Sequence, residues 1–275
     1  MIAPGWCVTI SVVLGAGYMW AAGAPSHYIP LNAAALVVGA ITAWAGRRLL
    51  LAVPFSAGAW TVVVGLLLVW TALDGIYIDG ASRWIRIGGL SLQPSLILLP
   101  AVMVVYARDW SWLSTLGFLI ASAGIAMQPD RAMAGALAAG LVTLWMYRRE
   151  LPVAIAASCA VAALVVTLVQ ADTVPPVQFV EQVVQSAFGF HWSAGIAVVA
   201  GLLTMLAPGG EGVGSSGNER AEAAVFATTW LAVIVASLLG NYPTPLVGYG
   251  SSAILGYCLS AAAISDRRTI YSRAA

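Results

Sequence analysis

Lysine is absent from this 275-residue chain, and its twelve basic residues are all arginine. Chemistry that needs a side-chain amine able to lose its proton is therefore excluded. Charge of either sign is scarce, with 8% of residues charged and a formal net charge of +1. No basic run is present to follow a phosphate backbone, so nucleic acid is not expected as a partner. Cysteine is nearly missing too. Cys7, Cys159 and Cys258 lack metal or disulfide spacing and read as small core residues inside predicted helices. No His/Cys/carboxylate group has ligand spacing, no Gly-rich phosphate loop follows a strand, and no Ser/His/Asp set converges, which argues against the chemistry of soluble enzymes.

What the chain does contain is apolar sequence. With 61% hydrophobic residues and a mean hydropathy of +0.91, it has too little polar surface to cover a water-soluble globule. Breaks at Arg, Asp, Pro and Gly clusters divide it into about ten spans, near residues 6–24, 30–46, 51–72, 94–107, 112–127, 132–147, 151–170, 191–207, 223–239 and 248–265. The expected fold class is an all-α integral membrane protein, a polytopic bundle of about ten transmembrane helices forming a single domain over residues 1–275. The first apolar segment has no basic residue before it and reads as a retained span. Residues Gly209 to Glu222, rich in Gly, Ser and Glu, read as a flexible cytoplasmic linker.

Orientation follows from the arginines. With a cytoplasmic amino terminus, Arg47, Arg48, Arg108, Arg148, Arg149, Arg220, Arg267, Arg268 and Arg273 lie inside, and only Arg83, Arg86 and Arg131 lie outside. Both termini are then cytoplasmic. The outer exceptions are the informative ones, because two of them fall in the most polar stretch between spans, Asp79-Gly-Ala-Ser-Arg-Trp-Ile-Arg-Ile-Gly-Gly-Leu-Ser-Leu-Gln-Pro-Ser95. As an interfacial anchor, Trp84 would sit at headgroup level and the arginines would pair with lipid phosphate. As a site, Arg83 and Arg86 would point to one side if the segment were helical, with Gly80, Gly88 and Gly89 allowing close backbone approach to a diphosphate.

Two further polar runs stand at the same predicted face. Gln128-Pro129-Asp130 precedes the sixth span, where Asp130 suits a helix cap or a local arginine pair. Asn241-Tyr-Pro-Thr-Pro-Leu-Val-Gly-Tyr-Gly-Ser-Ser252 precedes the last span, where small residues suit a bent backbone or close helix packing.

In order and spacing, the three runs resemble the motifs of the SEDS family, the FtsW/RodA/SpoVE proteins of bacterial cell-wall growth. These carry an Asn-Gly-Ala-Arg-Arg-Trp-Ile-like run leading into Gln-Pro-Ser-Glu, then Gln-Pro-Asp-Leu-Gly-Thr, then Pro-Phe-Val-Ser-Tyr-Gly-Gly-Ser-Ser. The resemblance implies a multi-pass protein of the bacterial inner membrane that polymerises lipid II at its outer face, in cell division or cell-shape maintenance. It implies substrate contacts from Arg83, Trp84, Arg86, Gln93, Ser95, Asp130, Ser251 and Ser252. It also implies membrane lipids and a class B penicillin-binding protein as partners, and a divalent cation (Mg or Mn) as the candidate cofactor, with no protein metal ligands identified.

This chain departs from the family at Leu96 and Leu99, where Glu and Lys are usual, and at Arg131 and Ala132, which replace Leu-Gly. The family's essential Asp lies in a large outer loop after the seventh span. Here that loop is short, roughly residues 171–190, and its carboxylates are Asp172 and Glu181. The segment after Pro176 reads as a short amphipathic helix with Glu181 on its polar stripe, and Asp172 reads as a helix-start residue. Glu181 and Asp172 are the candidate catalytic carboxylates, while His191 beside Trp192 reads as interfacial. The alternatives are a catalytically silent homologue that binds lipid II or scaffolds a synthesis complex, and a lipid-carrier transporter. The third ranks last because nearly every charge falls at a span end.

Overall fold

The computed structural model describes residues 4–52, 56–210 and 217–271. Ten long helices correspond one for one to the expected spans: α1 (Pro4–Ala21), α2 (Tyr28–Ala52), α3 (Ala57–Asp74), α4 (Pro94–Arg108), α5 (Trp112–Met127), α6 (Arg131–Arg148), α7 (Leu151–Val169), α9 (Trp192–Thr204), α11 (Gly217–Leu239) and α12 (Ser251–Tyr271). Two short helices, α8 (Val183–Phe190) and α10 (Ala207–Gly210), join them. The helix α2 continues through Arg47 and Arg48, where the sequence suggested a break before a span at 51–72. Part of the expected 209–222 linker is helical, and residues 211–216 lie outside the described residues, as does Arg273.

Burial is arranged for a membrane. Large apolar side chains point outward on the helix faces, including Trp6, Trp20, Ile41, Trp44, Leu73, Val169 and Leu239. Polar side chains such as Ser11, Asn32, Ser95, Asp130 and Ser260 are buried. That inversion suits lipid, where apolar surface costs nothing and polar groups need partners inside the protein. Among the described residues, four helices are long and apolar enough to cross a bilayer unaided, and five shorter apolar helices accompany them. The chain is a multi-pass membrane protein. Its buried aromatics satisfy their polar tips: the Trp230 indole donates to Ser260 (3.1 Å), the Tyr257 hydroxyl to the Met205 carbonyl (2.8 Å), and Tyr106 shares a proton with Thr115 (2.7 Å).

Helix contacts depend on small residues. A Cβ added at Gly117 of α5 would lie 2.5 Å from the Thr61 carbonyl carbon of α3, and one at Gly65 would lie 2.6 Å from the Gly117 carbonyl oxygen. Backbone cannot yield to such contacts, so these two helices touch only because both positions lack side chains. Gly117→Val is expected to force α3 away from α5 and to lower the midpoint of thermal unfolding in detergent by at least several degrees. A variant melting with the wild type would refute this packing.

The departure from helix is local. Between α3 and α4 the chain forms a three-stranded antiparallel sheet, β1 (Ile76–Ile78), β2 (Ala81–Ile87) and β3 (Leu90–Leu92), in the order β1-β2-β3. Ile87 pairs with Leu90 across Gly88 and Gly89, both at positive φ (56° and 86°), as a two-residue hairpin turn requires. The most polar loop of the sequence is thus a β-ribbon, not a helix.

Candidate functional site

The ribbon decides what its arginines can do. Residues three apart on a strand face opposite sides. Arg83 turns inward and is buried, whereas Arg86 is exposed. The expectation that both point to one side is therefore corrected. The Arg83 guanidinium donates to the Asp172 carboxylate at 3.1 Å and to the Pro129 carbonyl. It also lies over the Tyr242 ring (5.2 Å) and beside the Trp84 ring (5.9 Å). Its Nε, also buried, has no hydrogen-bond partner among the described residues.

Asp172 does not start a helix. It lies in the extended segment after α7, accepting from Arg83 through one carboxylate oxygen and from the Tyr242 hydroxyl through the other. Burial and hydrogen bonding to Asp172 push the Tyr242 hydroxyl well above its ordinary pKa, so it stays a donor. The segment is tied to the ribbon by Thr173, whose hydroxyl donates to the Asp79 carbonyl (2.6 Å).

The second group centres on Gln93, the cap of α4. Its backbone N–H donates to the Ser252 hydroxyl (2.9 Å), and its side-chain amide donates to Asp130 (2.8 Å). Ser95 reaches the same Asp130 oxygen at 3.3 Å, and the other oxygen accepts the Met133 N–H (3.2 Å), capping α6 as expected. Arg131 takes no part in this. It turns to the Thr167 and Gln170 carbonyls at the end of α7, so no local Asp130–Arg131 pair forms. The three sequence runs, far apart in the chain, thus meet at Gln93, Asp130 and Ser252.

Glu181 requires a larger correction. Residues 178–180 form a turn, Glu181 is in an isolated bridge, and α8 begins only at Val183. Phe179 and Gln182 adopt left-handed backbone (φ 65° and 55°). The final motif holds them there: the Tyr249 N–H donates to the Phe179 carbonyl (2.7 Å) and the Thr244 N–H to the Val180 carbonyl (2.9 Å). Main-chain pairing with residues 243–249 outweighs the local helix preference, so Glu181 bridges to Pro243 instead of facing solvent. Its buried carboxylate accepts the Val177 N–H at 2.7 Å. Desolvation raises its pKa to about 7, against smaller downward pulls from backbone hydrogen bonds and from Arg83.

Beside this cluster, between the ribbon and the start of α12, lies a cavity of about 290 Å³. Trp84, Gln93, Ser251 and Ser252 line it, and so does Leu96, one of the positions where the family has a charge. Leu99 is fully buried in the core. Sequence reasoning missed Tyr242 and Thr244, though both lie within the last motif, because it gave their polar tips no partner. His191 is exposed and caps α9 through Ser193 (3.3 Å). Among the described residues no group of three His, Cys, Asp or Glu side chains could hold a metal ion, and the oxygens of Asp172 and Asp130 are already engaged. The donor set does not fit a protein-held divalent cation.

No family model matches the chain. A stretch of 88 residues is 30% identical to the probable peptidoglycan glycosyltransferase FtsW of Acinetobacter baylyi, covering 31% of this chain and 22% of that relative. The match therefore spans about a fifth of FtsW's length. Among solved structures, the rod shape determining protein RodA of Thermus thermophilus is similar with a TM-score of 0.67 at 19% identity, over 95% of both chains. An aspartate-to-alanine mutant of the same RodA gives 0.67 at 20% identity. A chain from a peptidoglycan synthase complex, described as coordinating polymerization and crosslinking, gives 0.61 at 20% identity over 96% of both chains. The chain thus has the fold of RodA.

Proposed function

We propose that this chain is a short, divergent SEDS protein of the bacterial inner membrane. In this reading it binds lipid II at its outer face and polymerises the glycan in cell division or cell-shape maintenance. The observation that carries the reading is the meeting of the three motifs at Gln93, Asp130 and Ser252, beside a cavity and next to a buried arginine. In the reaction the hydroxyl of one disaccharide attacks the anomeric carbon of another, the glycosidic bond forms, and undecaprenyl diphosphate leaves with the electron pair of the broken bond. Arg83 Nε, buried and without a partner among the described residues, is the guanidinium donor this reading assigns to a diphosphate oxygen, while Asp172 and Tyr242 hold the guanidinium in place. Glu181, with a pKa near neutrality, is the carboxylate suited to take the attacking hydroxyl's proton. The FtsW and RodA likenesses support the activity, and the likeness to a synthase-complex chain supports a class B penicillin-binding protein as partner.

The pH dependence carries a definite sign. Below about 7 Glu181 is mostly protonated and cannot act as base; above it the carboxylate predominates. Lipid II polymerisation by the purified protein with its cognate penicillin-binding protein is expected to rise through that pH and then level off. Glu181→Gln should remove this limb and slow polymerisation on the order of 100-fold or more. An unchanged profile in the variant would exclude Glu181 as the base. Stability moves the other way. Burial favours the protonated form, so this contribution is fully present below the ordinary value of 4.5 and is lost as pH rises to about 7.

A second reading is a silent homologue that binds lipid II without polymerising it. Leu96 and Leu99 favour it, since no charge stands where the family carries Glu and Lys. Its signature would be no polymer at any pH, with lipid II binding that still depends on Arg83.

A further inference from the structure

The cavity has a composition of its own. None of the described residues that line it is charged, although Asp130 and Arg83 lie one side chain away. Its polar side chains are neutral: the amide of Gln93 and the hydroxyls of Ser91, Thr244, Tyr249, Ser251 and Ser252. Two aromatic rings complete it, Trp84 from β2 and Tyr249 from the loop before α12.

Tyr249 is held in place. Tyr28 stacks on it with ring centroids 3.8 Å apart and planes 7° from parallel. His27 stands edge-on to both, at 4.8 Å from Tyr28 and 6.4 Å from Tyr249. The backbone is fixed on either side, through the Phe179 carbonyl at 2.7 Å and through Asn32, whose side-chain oxygen accepts the Gly250 N–H at 3.2 Å. A rigid aromatic wall with neutral hydrogen-bonding groups suits a ligand that has an apolar C–H face and hydroxyl or amide edges. A phosphate would instead seek guanidinium groups. The volume, near the lower end of the ~300–1,000 Å³ of small-molecule pockets, suits one sugar ring and not a disaccharide with its peptide.

We propose that this cavity is a saccharide subsite that takes an acetamido-sugar ring against Trp84 and Tyr249, with Tyr249 as a specificity-determining residue. The proposal rests on the function proposed above for the source of the sugar. It divides the substrate between two neighbouring environments, the glycan in the neutral cavity and the diphosphate at Arg83. Trp84 adjoins both, since it lines the cavity and its ring stands 5.9 Å from the Arg83 guanidinium.

The test uses the full chain in detergent with three probes: di-N-acetylchitobiose, lipid II and undecaprenyl diphosphate. Saturation-transfer NMR should show acetamido and ring protons of the disaccharide contacting the wild type, and Tyr249→Ala should abolish that signal. Lipid II binding should weaken about tenfold in Tyr249→Ala, the share of one aromatic contact, with undecaprenyl diphosphate binding unchanged and Tyr249→Phe close to wild type. Trp84→Phe, which keeps an aromatic wall, supplies a second folded variant with an altered disaccharide signal. No disaccharide contact in the wild type, or equal weakening of lipid II and undecaprenyl diphosphate, overturns the subsite. Disaccharide binding without lipid II binding would preserve it and overturn the function proposed above.

Discussion

Arg83→Ala is expected to destabilise the end of the bundle that carries the β-ribbon and, on the function proposed above, to abolish lipid II binding. The guanidinium holds the Asp172 carboxylate at 3.1 Å in a place where both side chains are nearly excluded from solvent. Removing the cation strands the carboxylate, and breaking a buried pair from one side costs about 3–5 kcal/mol. The Tyr242 hydroxyl still donates to Asp172, but the cation over its ring is gone, and the Pro129 carbonyl loses its donor. A fall in the thermal midpoint on the order of 10 °C follows from a cost of that size. Asp172→Asn in the same chain should recover part of the loss, because the stranded charge disappears, and a double-mutant cycle would measure the coupling. Arg83→Lys keeps charge without the planar fork and should recover stability better than binding. A single alanine variant that melts and binds like the wild type would refute the role of this pair.

Asp130→Ala is expected to have the next largest effect, for a different reason. This fully buried carboxylate is a junction of acceptors with no ion-pair partner among the described residues. Alanine takes the acceptor from the Ser95 hydroxyl, at about 1–3 kcal/mol for a buried group left unsatisfied, and leaves the Gln93 amide with Ser95 at 3.3 Å. It also uncaps α6, at about 1 kcal/mol. Because Gln93 also donates its N–H to Ser252, loosening it loosens the start of α12. Hydrogen exchange should therefore quicken at Met133, Gln93 and Tyr249 together, with a lower thermal midpoint. Asp130→Asn retains one acceptor oxygen and should fall between. Faster exchange at Met133 alone would reduce Asp130 to a helix cap.

The helices were legible because twenty apolar residues between polar breaks have few other structures open to them in lipid. The β-ribbon was not. Its strand places a charged residue, Arg83, on the inward face, which reverses the usual alternation, and partners far along the chain, Pro129, Asp172 and Tyr242, make that burial tolerable. Glu181 was misplaced for a similar reason. Its segment has a helical pattern, but residues 243–249 supply main-chain partners that no local window contains. The motif residues Gln93, Asp130 and Ser252 were found by order and type, yet their mutual bonding was not expected. Glu222 follows the same lesson at the other end of the bundle. Read as part of a flexible linker, it is buried and paired with Arg108 at 3.2 Å.

The Gln93–Ser252 bond has a bearing on biogenesis. A membrane protein is delivered from its amino end, so α4 and α6 enter the bilayer well before the chain reaches Ser252. During that interval the Gln93 N–H lacks its acceptor, Phe179 lacks the Tyr249 N–H, and Asp172 lacks the Tyr242 hydroxyl. Tyr242 and Tyr249 belong to the loop before α12 and Ser252 to its first turn, so the cluster is closed by residues 242–252. A nascent chain halted before α12 would hold nine of the ten long helices described and still lack the Ser252 acceptor, so the junction of the three motifs waits for the first turn of α12.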